Sequence, residues 1–258
     1  MYYRVDRAFG ATHNNDDVYN AIGRPLVNLA ARGGTSTLIA YGQTGTGKTY
    51  TITGLLQRIG EDLFKELGPG DAVELRVVEI LGANATDLMH SVPGAKYVKP
   101  EGDEEEKTDK PVRTTKALAE KERRVKAKLA AKAAPPPKNA VFIREDRFSN
   151  LQLANARSLV VQDSRHFLGA VQLAFQGRST AATLKNDTSS RSHACVCLRI
   201  ISGDRELQQR GQASEGRLYI VDLAGSERAS DTSHHDAARL KETKEINKSL
   251  MTLKDCIK

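Results

Sequence analysis

The residues with the clearest chemical purpose are Gly42-Gln43-Thr44-Gly45-Thr46-Gly47-Lys48-Thr49, a complete G-x-x-x-x-G-K-[ST] pattern. Glycines at these spacings let successive backbone N–H groups turn inward around phosphate oxygens, and a following helix adds its positive N-terminal end. Lys48 is placed to reach the β- and γ-phosphates, and the Thr49 hydroxyl to hold Mg²⁺. A second group follows an apolar run: Val221-Asp222-Leu223-Ala224-Gly225-Ser226-Glu227. Asp222 at a strand end can hold Mg²⁺ through water. The N–H of Gly225 can meet a γ-phosphate because glycine permits close backbone approach. Upstream of it, Asn186-Asp187-Thr188-Ser189-Ser190-Arg191-Ser192-His193 packs hydroxyls and a guanidinium into eight residues. A phosphate loop, a metal carboxylate and two sensors of the terminal phosphate are the parts of a nucleoside triphosphatase.

These parts need elements to carry them. Residues 35–41 form a short β-rich run that ends in the glycine loop. After the loop, Leu55, Leu56, Ile59, Leu63, Phe64 and Leu67 recur at helical spacing. Residues 73–80, 140–144, 194–202 and 218–221 read as further strands. Asp163 reads as the N-cap of a helix whose face is Phe167, Val171, Ala174 and Phe175, ending before Gly177. Ile246, Leu250, Leu253 and Ile257 stripe a last helix. Strands alternating with helices predict an α/β fold, a P-loop NTPase with a central, mostly parallel β-sheet flanked by helices.

Composition narrows the alternatives. The 258 residues are 39% hydrophobic and 28% charged, and a chain of this size can bury a substantial core. Three cysteines are too few for a disulfide scaffold and suit a reducing compartment. No run nears the length of a membrane span, and the N-terminal residues carry no secretory signal, so a cytoplasmic location is expected. Residues 91–139 hold 13 basic and 8 acidic side chains, hence +5 of the formal +7. Only seven of those 49 residues are Val, Leu or Tyr, which marks the segment as a charged insertion without a core of its own. The basicity is thus local, and with 5% aromatic residues and no Trp there is no stacking platform, so nucleic acid is not an expected partner. His193, Cys195 and Cys197 alternate along one strand, but no fourth residue is spaced to complete a tetrahedral zinc site, so core packing is the reading preferred.

The three motifs, in this order, resemble the phosphate loop, switch I and switch II of a kinesin motor domain. Val18-Tyr19, Pro25-Leu26-Val27, Ile143-Arg144-Glu145-Asp146 and Ile246-Asn247-Lys248-Ser249-Leu250 resemble kinesins as well. The resemblance implies an ATPase coupled to microtubules, with ATP and Mg²⁺ as cofactors and a cytoskeletal location. The Asn-Lys-x-Asp signature of guanine-specific proteins is incomplete, since Asn247-Lys248 is followed by Ser249-Leu250. By the resemblance, Tyr50 lies beside the adenine, and Ser189 and Ser190 meet the γ-phosphate and the metal. Arg191 then pairs with Glu227 to seal the site and relay the water proton. The metal set is thus Thr49, Ser190 and Asp222.

Some of the family's usual text is missing. The Arg-x-Arg-Pro turn expected ahead of the phosphate loop and the Tyr-Arg-Asp-Ser-Lys-Leu-Thr segment after switch II do not occur. The chain is therefore expected to be an incomplete motor, residues 1–258 forming a partial domain with the 91–139 insertion inside it. A nucleotide- and tubulin-binding protein without turnover is the alternative activity. Gly54 leads directly into Leu55, so the loop that usually interrupts the first helix is nearly absent. Arg32-Gly-Gly-Thr-Ser-Thr-Leu, Ala229-Ser-Asp-Thr-Ser and Leu253-Lys-Asp-Cys-Ile lean toward the internal-motor class that depolymerises microtubules.

Overall fold

The computed structural model describes residues 4–97, 138–145, 151–180, 191–203, 215–227 and 237–257. The expected insertion therefore falls largely outside the described residues. Its two ends do not, because 91–97 and 138–139 belong to the fold.

Chain entry is helical. Asn14 caps α1 (Asn15–Val18) by accepting from the N–H groups of Asp16 and Asp17, and Asp17 returns a bond to the Asn14 N–H. One π-type turn at Tyr19–Gly23 joins it to α2 (Arg24–Ala31). Strand β1 (Thr35–Ala40) then delivers the chain to the glycine loop, and α3 (Lys48–Glu66) leaves it. Helix α3 runs unbroken through Gly54, as expected from the missing interruption. Its buried residues Ile52, Leu55, Leu56, Ile59 and Leu63 keep the helical period seen in the sequence.

Strand β2 (Ala72–Leu81) turns back as β3 (Asn84–Asp87), and the short β4 (Lys96–Tyr97) follows. Beyond the insertion come β5 (Ala140–Glu145), β6 (Leu151–Ala154) and β7 (Arg157–Val161). Helix α4 (Ser164–Thr180) begins at Asp163, whose carboxylate accepts from the His166 N–H at 2.7 Å. It does not stop at Gly177 but continues to Thr180. Strands β8 (His193–Ile201) and β9 (Glu215–Asp222) and helix α5 (Ala237–Ile257) complete the described chain.

The sheet runs in the order β1-β9-β8-β2-β3-β5-β6, with β7 against β2 and β4 against β7. It is mixed rather than mostly parallel, which corrects the sequence expectation. Among the described residues only β1 and β9 pair in parallel; the other pairs are antiparallel. The cause lies in the connections. Parallel neighbours need a crossover of a dozen or more residues, and α3 supplies one between β1 and β2. Strand β8 sits reversed between β9 and β2, so β2 points the same way as β1 and β9 without pairing with either.

One face of this sheet carries the main core. Val73, Leu75, Val77, Val196, Leu198, Ile200, Leu218 and Ile220 alternate along their strands to meet α2, α3 and α4. On the other side α5 lays Ile246 and Leu250 over Leu223 and Ala224. Cys195 packs against a third cluster built on Val78, Val141 and Ala156, a core placement consistent with its apolar surroundings.

Candidate functional site

The site lies where β1 and β9, parallel and in register from Thr35↔Arg217 to Ala40↔Asp222, both end. Each strand feeds one motif: β1 the glycine loop, β9 the Asp222–Glu227 segment. The register alone sets the loop of one beside the carboxylate of the other. The loop needs its glycines at two points, since Gly45 (φ 81°) and Gly47 (φ 88°) hold left-handed conformations that side chains disfavour. Helix α3 starts immediately after Gly47, so its positive end faces the loop. The Lys48 ammonium donates to the carbonyls of Gly42 (2.9 Å) and Gln43 (2.8 Å), which keeps it folded over the loop.

Switch II is stitched to that loop. The Ser226 N–H donates to the Gly42 carbonyl at 3.1 Å, and the Leu223 N–H to the Ala40 carbonyl at 3.3 Å. Glu227 accepts from the Thr44 hydroxyl (2.6 Å) and the Thr44 N–H (3.0 Å). Burial alone would push the Glu227 carboxyl up. The two Thr44 donors and the nearby Lys48 charge outweigh it and hold the group below its ordinary range. Gly225 is pressed against this contact: a Cβ there would overlap the Thr44 hydroxyl and the Glu227 carboxylate. The Glu227–Thr44 contact joins two motifs 183 positions apart, and nothing in the sequence singled it out.

The residues expected to hold the metal are brought together in part. The Thr49 hydroxyl donates to Asp222 Oδ2 at 2.8 Å. Asp222 is 1% exposed, and its other oxygen, Oδ1, is buried without a hydrogen-bond partner among the described residues. Leaving a carboxylate oxygen in that state is costly unless something else engages it. A hydroxyl beside a half-satisfied carboxylate is an oxygen donor set suited to a hard divalent cation, so these residues fit Mg²⁺. Ser189 and Ser190 lie outside the described residues; Arg191 is described, at the start of the segment entering β8. Tyr50, on the first turn of α3, is 76% exposed and open for a flat ring to lie against.

Sequence reasoning missed the group that supports Asp222. Arg178, in the last turn of α4, extends its guanidinium into the interior. It reaches Asp222 Oδ2 at 3.4 Å, Glu79 Oε1 at 3.4 Å, the Ser192 hydroxyl at 3.1 Å and the Ser192 carbonyl at 2.6 Å. The Ser192 hydroxyl donates to Glu79 Oε1 at 2.6 Å. All four side chains are buried. One cation between two carboxylates orients Asp222 and ties the segment entering β8 to the end of α4. The available signal was an arginine near the end of the helix that precedes switch I, one residue past a glycine read as the helix stop.

His193 also lies inside. Its Nδ1 accepts from the Ala224 N–H at 3.0 Å, and its Nε2 meets the Ser249 hydroxyl of α5 at 2.8 Å. Burial and the Arg178 charge lower its affinity for a proton, opposed by Asp222, so the ring is held neutral.

Comparison with known proteins bears on the family and the fold. The family model for the kinesin motor domain matches residues 1–258. Diatom spindle kinesin-1 of Cylindrotheca fusiformis is 30% identical over 260 residues, covering 99% of this chain and 33% of that protein. Kinesin-like protein KIF24 of Mus musculus is 30% identical over 267 residues, covering 99% of this chain and 16% of its own length. The chain thus spans a third or less of these relatives. Among solved structures, a KIF14 dimer in its two-heads-bound state with AMP-PNP on a microtubule gives a TM-score of 0.64 at 28% identity. That match covers 96% of this chain and 61% of the other. A fast kinesin gives 0.68 at 23% identity, covering 95% and 60%, and supports the fold alone. With matched motifs, matched fold and a family model spanning its whole length, this chain belongs to the kinesin motor domain family.

Proposed function

We propose that this chain is the nucleotide-hydrolysing part of a microtubule motor, using ATP as substrate. The observation that carries the reading is the junction at the ends of β1 and β9, where Thr49 bridges to the half-satisfied Asp222 and switch II is bonded directly to the phosphate loop. The loop amides and Lys48 bind and orient the phosphates. Thr49 and Asp222, with Ser190, would hold Mg²⁺, which when bound neutralises charge on the phosphate oxygens. Gly225 offers its N–H to the terminal phosphate, and Glu227 holds and moves the proton of the attacking water, paired with Arg191 once switch I closes. Catalysis of this type is mostly positioning and electrostatic stabilisation. Loss of the terminal phosphate releases Gly225, and α5, packed on Leu223 and Ala224, changes its presentation to the track.

Steady-state ATP hydrolysis with and without microtubules tests the proposal. Stimulation by microtubules is the expected outcome, and an unstimulated or absent turnover would oppose it. Lys48→Ala is the matched control. Without the ammonium that cradles the phosphates, affinity for a fluorescent ATP analogue should fall by about tenfold or more, since charge-assisted contacts carry about 1.5–3 kcal/mol. Unchanged affinity would sink the site assignment. Loss of polymer mass in the same assay would assign the depolymerising mode suggested by residues 32–38, 229–233 and 253–257.

A further inference from the structure

We propose that His193 is a positioning residue that links the terminal-phosphate sensor to helix α5, a role that rests on the ATPase reading above. Among the described residues, its ring stands between two elements that also pack through apolar surface. On one side Nδ1 accepts from the N–H of Ala224, the residue immediately before Gly225. On the other, the Ser249 hydroxyl donates to the Ile246 carbonyl at 2.6 Å, which leaves its oxygen to accept from His193 Nε2–H at 2.8 Å. Proton directions are therefore consistent along the whole chain of groups, from the Ala224 N–H through a neutral imidazole and a serine hydroxyl to the backbone of α5.

Among the described residues, the apolar part of this joint is Leu223 and Ala224 with Val221 against Ile246, Leu250 and Leu253. Such contacts are non-directional and allow α5 to slide. A bridging hydrogen-bond pair fixes both distance and angle, so a displacement of the backbone at Ala224–Gly225 is passed to Ser249. His193 can serve as the fixed post because it is the first residue of β8, paired with Ile80 of β2. It is 8% exposed, which keeps water from competing for either nitrogen. Cysteine or metal chemistry at this strand is not required for any of this.

Hydrogen–deuterium exchange of the full chain, with and without Mg²⁺ and AMP-PNP, tests the link. Analogue binding should slow exchange in residues 42–49 and alter it in residues 244–253. Ser249→Ala cuts the link at α5. His193→Asn keeps an acceptor near Nδ1 for Ala224 but does not reach Ser249. Both should retain the response of 42–49 while the response of 244–253 falls about fivefold, the factor carried by one net hydrogen bond. Ser249→Thr, which keeps the hydroxyl, should restore it. Because both changes cut one link, the double variant should be no worse than either single one. An undiminished response of 244–253 in both single variants, or additive losses in the double, overturns the proposal alone. No slowing at 42–49 in the unsubstituted chain removes the ATPase reading, and this proposal with it.

Discussion

Glu227 serves two purposes in this site. Glu227 is expected at the attacking water, yet its oxygens accept from both donors of Thr44 in the phosphate loop. The contact fixes where the carboxylate waits and keeps it ionised. Glu227→Ala should therefore leave nucleotide affinity nearly intact and slow hydrolysis by about 10² or more, the usual cost of losing a positioned proton-transfer group. Single-turnover measurements separate the two, and loss of binding without a hydrolytic defect would contradict the role. At Gly225 a Cβ would displace the Thr44 hydroxyl and the Glu227 carboxylate from each other, so a side chain there would disturb this contact. That the loop 42–49 and the 222–227 segment would meet was legible because each is a short, contiguous run at the end of an apolar strand. Arg178, Glu79 and Ser192 were not, because their chemistry exists only once α4, β2 and β8 are packed together.

At the scale of elements, α4 is the clearest example of a local rule overridden by packing. Gly177 costs a helix interior about 1 kcal/mol, and the sequence placed the stop there. The helix continues because the turn beyond it carries Arg178 into contact with Asp222, Glu79 and Ser192. Arg178→Met should leave two carboxylates buried without their guanidinium. Breaking a buried pair in this way costs about 3–5 kcal/mol, against about 0–1 for an exposed one. Urea unfolding should show a lower midpoint with little change in slope. A midpoint within error of the unsubstituted chain would mean that Asp222 draws its support from elsewhere. Strand existence was mostly legible from β-branched, apolar runs, and β1, β2, β5, β8 and β9 fall where the pattern put them. Strand direction was not, since a period of two is the same read either way. The short strands β3, β4, β6 and β7 lack enough alternation to be seen at all.

Across the whole molecule, charge is distributed unevenly, and this has a consequence for binding. Residues 110–138 hold ten basic side chains, among them Lys116, Arg123, Arg124 and Lys128, against the acidic Glu120 and Glu122. The span lies almost wholly outside the described residues, but its charge is given by the sequence. Charge clustered on one segment raises the encounter rate with an acidic polymer without needing a defined site. It acts across roughly 8 Å at physiological salt and is screened beyond that. If the track is the acidic surface of a microtubule, deleting residues 102–137 should leave basal ATP hydrolysis unchanged, because every residue assigned to the nucleotide site lies elsewhere in the chain. The same deletion should weaken microtubule binding at low salt, with the difference closing as salt rises. Co-sedimentation across a salt series reads both features at once. Equal binding of the deleted and full chains at every salt concentration would show that the segment's charge has no part in track affinity, leaving the ordered surface around α5 to supply it.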